Sequence, residues 1–152
     1  MYPNMKPFEF KDHTADILFI ARGKDLEELC KNAGLAVMDS MVDLKSVKKK
    51  VKEKITLSEE KNPESLLFTF LEELVYLKDA KSILFSDFKI EIREDGHSYV
   101  LEADCFGEKI NPKTHKLRVD VKAITLHEFY VKKTSKGYKA QVIVDIWKCK
   151  AI

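Results

Sequence analysis

Apolar residues in the first half of the chain recur first with a strand-like period and then with a helical one. Residues 8–10 alternate apolar and polar side chains, and residues 17–21 form an apolar run, so each segment predicts a strand. Asp25, with Glu28 three residues later, has the spacing of a helix-capping box. The helix that follows has one apolar face, formed by Leu26, Leu29, Cys30, Ala33, Val37 and Met41.

The same succession of periods is repeated between residues 47 and 77. Apolar residues at odd positions between 47 and 57 predict a half-exposed strand. Asn62 followed by Pro63 predicts a helix start, because Asn caps free N–H groups and Pro suits the first helical position. The apolar stripe of this second helix consists of Leu67, Phe70, Leu71, Leu74 and Leu77.

The second half of the chain is rich in strands and hairpin turns. Turn residues at 95–96 and 135–137 each predict a hairpin. The strands themselves are predicted at residues 85–92, 99–106, 119–131 and 138–147. These elements predict an α+β fold, with a mixed, largely antiparallel sheet and two main helices packed on one face. We expect residues 1–152 to form a single domain.

Composition narrows the class of protein further. The formal net charge is only +2, which gives no overall field that would favour nucleic acid. The three cysteines, Cys30, Cys105 and Cys149, include no C-x-x-C pair, so neither a disulfide framework nor a zinc ribbon is expected. Free thiols, and the lack of an apolar run of ~20 residues, predict a cytosolic protein without a membrane span.

Asp145 is out of place in the sequence Val-Ile-Val-Asp-Ile-Trp, which is otherwise a strongly apolar strand. Asp is disfavoured in strands, and a buried carboxylate is costly unless it is paired or bound to a metal. One hypothesis joins Asp145 and Ile146 to the acidic segment 12–16 in a functional site. The alternative is a strand end at which Asp145 faces water or a lysine, such as Lys122 or Lys148.

The segment 12–16, Asp-His-Thr-Ala-Asp, places polar groups between two apolar strands. In an extended chain Asp12, Thr14 and Asp16 would share one face and offer the hard oxygen ligands that suit Ca²⁺ or Mg²⁺. The spacing is not that of an EF-hand, because Ile17 stands where that loop requires glycine. A capped turn between two strands is an equally good interpretation.

Lys122 and His127 are polar residues within another predicted strand, at the two ends of the sequence Lys-Ala-Ile-Thr-Leu-His. Lysine and histidine are the usual groups for binding phosphate or moving protons. Strict alternation puts the two on opposite faces, so they would share a site only if a bulge intervened. A solvated lysine and an edge histidine are the plainer interpretation.

Lysines are concentrated between residues 45 and 54. This run could contact RNA phosphate, but it contains no aromatic residues, and lysines are common on solvated strand edges. The chain contains no motif of a nucleotide-binding loop, a zinc protease or a serine hydrolase. The residues by themselves give little support to an enzyme.

Several short motifs, in the same order along the chain, resemble those of the archease family. They are His-Thr-Ala-Asp at 13–16, Leu-Glu-Glu-Leu at 26–29, Phe-Leu-Glu-Glu-Leu at 70–74, Gly-Glu at 107–108 before a loop with His115, Lys-Ala-Ile-Thr-Leu-His at 122–127 and Val-Ile-Val-Asp-Ile at 142–146. Each motif is short, but the set covers nearly the whole chain.

The resemblance implies a function that composition could not. Archeases are small accessory proteins of the RtcB-type RNA ligase, which joins tRNA halves after intron removal. They promote guanylylation and turnover of the ligase, broaden its nucleotide use, and have no reaction of their own. RNA and GTP would then be met only through the ligase, in the cytoplasm and away from any membrane.

The resemblance also implies a set of site residues. The family binds a divalent cation, identified as calcium, with Mg²⁺ or Mn²⁺ as candidates in function. The ligand positions correspond here to Asp16, Asp145 and Ile146, the last through its main-chain carbonyl. The residues expected to serve the partner or the activity are Lys122, His127 and His13.

Two features depart from the family pattern, and two other functions remain open. Many archaeal members end at the Asp-Ile pair, whereas residues 147–152 follow it here and would either displace the Ile146 ligand or extend the strand. Leu126 stands where the family commonly has an aromatic residue. The other functions are a metal-dependent phosphohydrolase or nuclease that uses the carboxylates, and an RNA-binding, chaperone-like module that uses the lysine run.

Overall fold

The computed structural model describes residues 6–11 and 16–147 of the chain. The main elements are β1 (Phe8–Lys11), β2 (Ile17–Gly23), α1 (Leu26–Met41), β3 (Val51–Glu60), α2 (Pro63–Lys81), β4 (Ile83–Asp95), β5 (Ser98–Lys109), β6 (Val121–Thr134) and β7 (Gly137–Ile146). Among the residues singled out above, Asp12, His13, Thr14, Lys148 and Cys149 lie outside the described ranges.

The strands form two antiparallel sheets. One has four strands in the order β1-β2-β7-β6, and the other has three strands in the order β3-β5-β4. Neighbouring strands are antiparallel in every pair of both sheets. The predicted α+β class and antiparallel character are therefore confirmed. The division into two sheets was not predicted, because alternation identifies the buried face of a strand and not its neighbours.

Both helices begin where the capping residues predict. The Asp25 side chain accepts a hydrogen bond from the Glu28 N–H at 2.8 Å, and the Glu28 carboxylate accepts one from the Lys24 N–H at 2.8 Å. Asn62 and Ser65 cap each other at the start of α2. These side chains satisfy N–H groups that have no partner within the helix.

The main core lies between the sheets, because α1 packs against β2 and β4 while α2 packs against β6 and β3. Its largest fully buried members include Phe19, Phe70, Phe85, Leu29 and Leu101. Phe19, Val142 and Val144 belong to this core, so both helices cover the same face of the four-stranded sheet. No helix in the described ranges is long and apolar enough to cross a membrane.

The other face of the four-stranded sheet, called the outer face here, has a small apolar centre of its own. Leu18, Ile20 and Ile143 form a separate buried cluster on it. Leu18 and Ile143 are directly opposed on β2 and β7. Side chains two residues apart on a strand share a face, so Asp16 and Asp145 also belong to the outer face, next to this cluster.

Candidate functional site

Asp145 lies near the end of β7, where the outer face meets solvent. Val142 and Val144 are fully buried against the helices, and Ile143 is buried on the outer face. Asp145 is half-buried. The strand therefore has apolar residues on both faces through its middle and becomes polar only at its exposed end, which explains the anomaly in the sequence.

The register of β2 and β7 brings Asp16 opposite Asp145. Ile17 pairs with Val144. Asp16 precedes Ile17, and Asp145 follows Val144. Because the strands are antiparallel, continuing the same register by one residue puts Asp16 opposite Asp145. Directly opposed residues of an antiparallel pair have Cβ atoms ~4.5–5.5 Å apart. The pairing of two strands from opposite ends of the sequence thus puts both carboxylates at one end of the sheet.

No cation of the described residues forms an ion pair with this acidic pair, since Lys11 and Arg118, which line the same cavity as Asp16, are paired with Glu9 and Asp39. Neither Asp16 nor Asp145 has a hydrogen bond or an ion pair with another side chain in the described ranges. Lys122, which the strand-end alternative offered as a partner of Asp145, has its ammonium over the Trp147 ring instead. Like charges at opposed cross-strand positions destabilise a sheet, and a bound cation would offset that repulsion.

The donor atoms at this end of the sheet fit a hard divalent cation in type but not in number. Two carboxylates and the Ile146 carbonyl would offer three or more oxygen donors, whereas calcium takes ~6–8 oxygens. The described ranges contain no group of three or more His, Cys, Asp or Glu side chains that could hold a metal. Water or a partner would have to supply the other ligands.

Lys122 is the extra residue of a β-bulge beside Asp145. On β6, Val121 pairs with Ile146 and Ala123 with Asp145, which leaves Lys122 without an opposite residue. The Lys122 Nζ lies 4.7 Å from the centre of the Trp147 ring. Bulges redirect side chains near functional sites. Here the bulge leaves the exposed lysine beside the acidic end of the sheet.

Trp147 continues the line of β7 beyond the Asp-Ile pair. Its N–H donates to the Asp120 carbonyl at 3.0 Å, and half of its surface is exposed. Of the two alternatives for the residues after Ile146, this hydrogen bond favours extension of the strand, as far as Trp147.

His127 lies in a second, larger irregularity of β6. Thr125 pairs with Ile143 and Tyr130 with Gln141, so four residues of β6 oppose one of β7. Within this bulge His127 Nε2 lies 3.1 Å from the Glu128 carboxylate, and Leu126 is 69 % exposed. A bulge is therefore present at both Lys122 and His127. The contacts of the two side chains, with Trp147 and Glu128, do not join them to each other.

The glutamate and histidine of the motif at 107–115 serve the fold. The buried His115 ring accepts from the Asn111 N–H at 2.9 Å through Nδ1, so its Nε2–H donates to the Glu108 carboxylate at 2.8 Å. Hydrogen bonds to the Glu108 carboxylate lower its pKa to about 2, and the bond from the Lys48 N–H contributes more than the bond from His115. These bonds fix the loop between β5 and β6 against the start of β3.

The lysine run at 45–54 is partly neutralised. Lys49 pairs with Asp87 at 2.9 Å and Lys50 with Glu108 at 3.4 Å. Lys54 borders a cavity that also contains three carboxylates. This surface therefore carries charges of both signs and gives little support to the RNA-binding alternative based on the run.

Comparison with known proteins identifies the class of this fold and then the family. A solution structure of Methanobacterium thermoautotrophicum protein 1598 has the same fold, with a TM-score of 0.82 and 39% identity over 93% of this chain and 99% of that one. The sequence matches the model of the Archease protein family over residues 8–146. The chain belongs to the archease family.

Curated relatives agree with this assignment. Protein archease of Pyrococcus furiosus is 38% identical over 143 residues, which cover 93% of this chain and 100% of that protein. Protein archease of Sulfolobus acidocaldarius is 40% identical over 144 residues, again with 93% and 100% covered. The resemblance deduced from short motifs is thus confirmed over most of the chain.

Proposed function

We propose that this chain is an accessory protein that activates an RtcB-type tRNA-splicing RNA ligase, and that the acidic end of the four-stranded sheet is the part that acts. Family membership supports the choice of partner. The observation that carries the choice of site is the opposed placement of Asp16 and Asp145, two carboxylates without a cationic partner among the described side chains. The activator raises guanylylation and turnover of the ligase and broadens its nucleotide use.

In this proposal Asp16, Asp145 and the Ile146 carbonyl hold a divalent cation, calcium or in function Mg²⁺ or Mn²⁺. Such a cation would supply positive charge for phosphate oxygens near the acidic end. Lys122, held on its bulge beside the same end, contributes a point charge that suits phosphate or a carboxylate of the partner. His127 and His13 are proposed to contact the partner around this centre.

The sparse ligand set favours an activator over a free-standing nuclease or phosphohydrolase. Two-metal enzymes of that kind clamp the reacting oxygens between ions held ~3.5–4 Å apart. The described residues include no group of three or more side chains that could hold a metal, and Asp39, which lines the same cavity as Asp16, is ion-paired with Arg118. We therefore propose that the chain has no reaction of its own.

A calorimetric titration tests the cation-binding part of the proposal. The wild-type protein should take up one Ca²⁺, Mg²⁺ or Mn²⁺ ion, and Asp145→Asn should weaken the preferred ion at least tenfold. Asp104→Asn is the matched control, because Asp104 is also half-buried and on a strand, but lies in the three-stranded sheet. Equal affinity of the two variants would remove Asp145 from the ligand set.

A ligation assay tests the function. The ligase, GTP and two tRNA halves are mixed with the chain at one-tenth of the ligase concentration, and joined product is counted per ligase molecule. The chain should raise the number of turnovers and should neither join nor cleave RNA when the ligase is left out. Unchanged turnover would refute the activator proposal, and metal-dependent cleavage by the chain alone would favour the nuclease.

A further inference from the structure

Three cations lie side by side on the outer face, at the opposite end of the sheet from the acidic pair. Lys139 on β7 pairs with Arg22 on β2 and with Lys132 on β6. Like charges at directly opposed cross-strand positions destabilise a sheet. A row of three therefore costs stability in the free protein, unless other groups compensate it.

The positive charges of the outer two residues of this row, Arg22 and Lys132, have stabilising contacts, whereas that of the middle residue, Lys139, has none among the described side chains. Arg22 is ion-paired with Glu9, and Lys132 has its Nζ 4.5 Å from the centre of the Tyr130 ring. Glu9 is shared, because it also pairs with Lys11 at 2.8 Å. Lys139 forms neither a hydrogen bond nor an ion pair with another side chain in the described ranges.

Two members of the row, Arg22 and Lys139, border an open cavity of about 430 Å³, called the basic cavity here. It is lined by four basic residues, Lys6, Arg22, Lys136 and Lys139, by one acidic residue, Glu9, and by Thr134, Ser135 and Tyr138. That single carboxylate already binds Arg22 and Lys11. Ammonium groups beside hydroxyl donors are a composition that suits a phosphate group.

Close backbone packing fixes the hairpin that supplies most of this lining. Gly137 has φ +135, and a Cβ atom there would meet the Gly23 carbonyl oxygen at 2.3 Å. The β6–β7 turn with Ser135 and Lys136 is therefore seated directly on the end of β2. Two lysines of the basic cavity, Lys136 and Lys139, stand on this fixed backbone.

We propose that the basic cavity binds the phosphate groups of single-stranded RNA, with Lys136 and Lys139 as its main contacts. Single strands are bound by a positive groove that also carries aromatic side chains for base stacking. On the same face the Tyr130 ring lies against the ammonium group of Lys132, the cross-strand neighbour of Lys139, whereas the run at 45–54 contains no aromatic residue.

The basic cavity and the acidic pair share one face and one strand. Lys139 and Asp145 are six residues apart on β7, which corresponds to about 20 Å at ~3.3 Å per residue. An RNA strand that runs along β7 would leave one phosphate in the basic cavity and extend toward the acidic end. This direct contact adds to the access to RNA through the ligase and does not depend on the proposed function.

RNA binding by the isolated protein tests this proposal. Fluorescence anisotropy of a labelled single-stranded RNA of ~15 nucleotides is measured for the wild type, for Lys136→Ala/Lys139→Ala and for the control Lys54→Ala/Lys89→Ala. The control removes the same charge from the cavity on the three-stranded sheet, where three carboxylates face the two lysines. Thermal unfolding of all three proteins checks that they are folded.

We expect the Lys136/Lys139 variant to lose at least tenfold in affinity, and the control to stay within twofold of the wild type. The slope of log K against log salt should fall by about 1.4 in the first variant, at ~0.7 for each lost phosphate contact of a single strand. Equal affinity of both variants, or no RNA binding by the wild type, would overturn the proposal.

A competition experiment shows whether the basic cavity binds an RNA strand or only a single phosphate group. Inorganic phosphate and GTP are added to the preformed complex. If either displaces the RNA at an equal concentration of phosphate groups, the cavity takes a single phosphate and the strand proposal is wrong. The ligase is absent from these measurements, so they fail or succeed independently of ligase activation.

Discussion

The ammonium group of Lys122 lies 4.7 Å from the centre of the Trp147 ring. Trp147 follows Asp145 by two residues, and Lys122 lies on the neighbouring strand β6. The lysine stands on a bulge and the tryptophan on the continuation of β7, so neither position is part of a regular ladder. The contact restrains an otherwise exposed cation beside the acidic end. Trp147 is therefore a positioning residue for Lys122 in the activator proposal.

Replacement of Trp147 should weaken ligase activation without unfolding the protein. A cation–π contact at an exposed site is worth ~0.5–1 kcal/mol, which corresponds to about a two- to fivefold loss for Trp147→Ala if Lys122 is needed in this position. Trp147→Phe should keep most of the effect. Guanylylation rates of the ligase measure both variants. Tyr76→Ala is the control, because Tyr76 is another exposed aromatic residue, on α2.

An effect of Trp147→Ala that equals that of Tyr76→Ala would show that the contact with Lys122 has no part in activation. A loss that Lys122→Ala reproduces, and that the double variant does not increase, would show that the two residues act together.

Lys78 should be the lysine whose loss destabilises the fold most. It is buried, and its Nζ reaches the Asp79 carboxylate at 2.6 Å, the Asp120 carboxylate at 2.7 Å and the Val121 carbonyl at 2.8 Å. Removal of one member of a buried ion pair costs ~3–5 kcal/mol. Denaturant unfolding of Lys78→Ala should show a loss of about 3 kcal/mol, toward the low end because Asp120 is partly exposed.

Lys81→Ala is the matched control for Lys78. Lys81 belongs to the last turn of the same helix, and its pair with Glu53 is half-exposed, so its loss should cost at most ~1 kcal/mol. Similar unfolding free energies of the two variants would contradict the assignment of Lys78 as a buried structural lysine.

Gly137 and Gly96 should respond differently to alanine, although both have positive φ. A Cβ atom at Gly137 would meet backbone atoms of Gly23 and Lys24, whereas nothing lies within 4 Å of the corresponding position at Gly96. Gly96→Ala should cost ~1 kcal/mol from backbone conformation alone. Gly137→Ala should cost ~2–4 kcal/mol in denaturant unfolding and should also weaken RNA binding. An equal cost at both sites would show that the hairpin has room to move.

Stability should fall in acid below pH 4.5, because two glutamates have pKa values lowered to about 2. Lys11, followed by Arg22, lowers the pKa of Glu9 from 4.5 to about 2, and the Lys48 N–H with His115 does the same for Glu108. The folded protein holds these groups ionised, so their contribution is complete above pH 4.5 and is lost as the pH falls toward 2.

Melting temperatures between pH 6 and pH 2 measure this loss. Glu108→Gln should be less stable than the wild type at pH 6 and should lose less stability on acidification. A slope identical to that of the wild type would mean that Glu108 is not held ionised by the fold.

Local features of this fold were predictable from the sequence, because their causes lie within a few residues. Asp25 and Asn62 cap helices through N–H groups three residues away, and the hairpins form at the turn residues of 95–96 and 135–137. The bulges at Lys122 and His127 were not predictable, because they depend on how β6 and β7 pair over their whole length.

The candidate site was predictable only in part, and for the same reason. Pattern alone left Asp145 as a ligand or a strand end, and only the family resemblance paired it with Asp16. The register of β2 and β7 puts the two residues opposite each other, and their role as ligands stays a prediction. The row formed by Arg22, Lys139 and Lys132 was not predictable from the sequence, because its members come from three strands and become neighbours only in the sheet.

Single-turnover guanylylation of the ligase in the presence of Asp145→Asn tests the central claim most directly. The substitution keeps the size of the side chain and removes its charge at a half-buried position, so the fold should persist. Asp104→Asn, on the three-stranded sheet, is measured beside it. The account predicts that Asp145→Asn retains less than one-tenth of the wild-type stimulation while Asp104→Asn retains all of it. Full stimulation by Asp145→Asn would contradict the assignment of the acidic end as the part that activates the ligase.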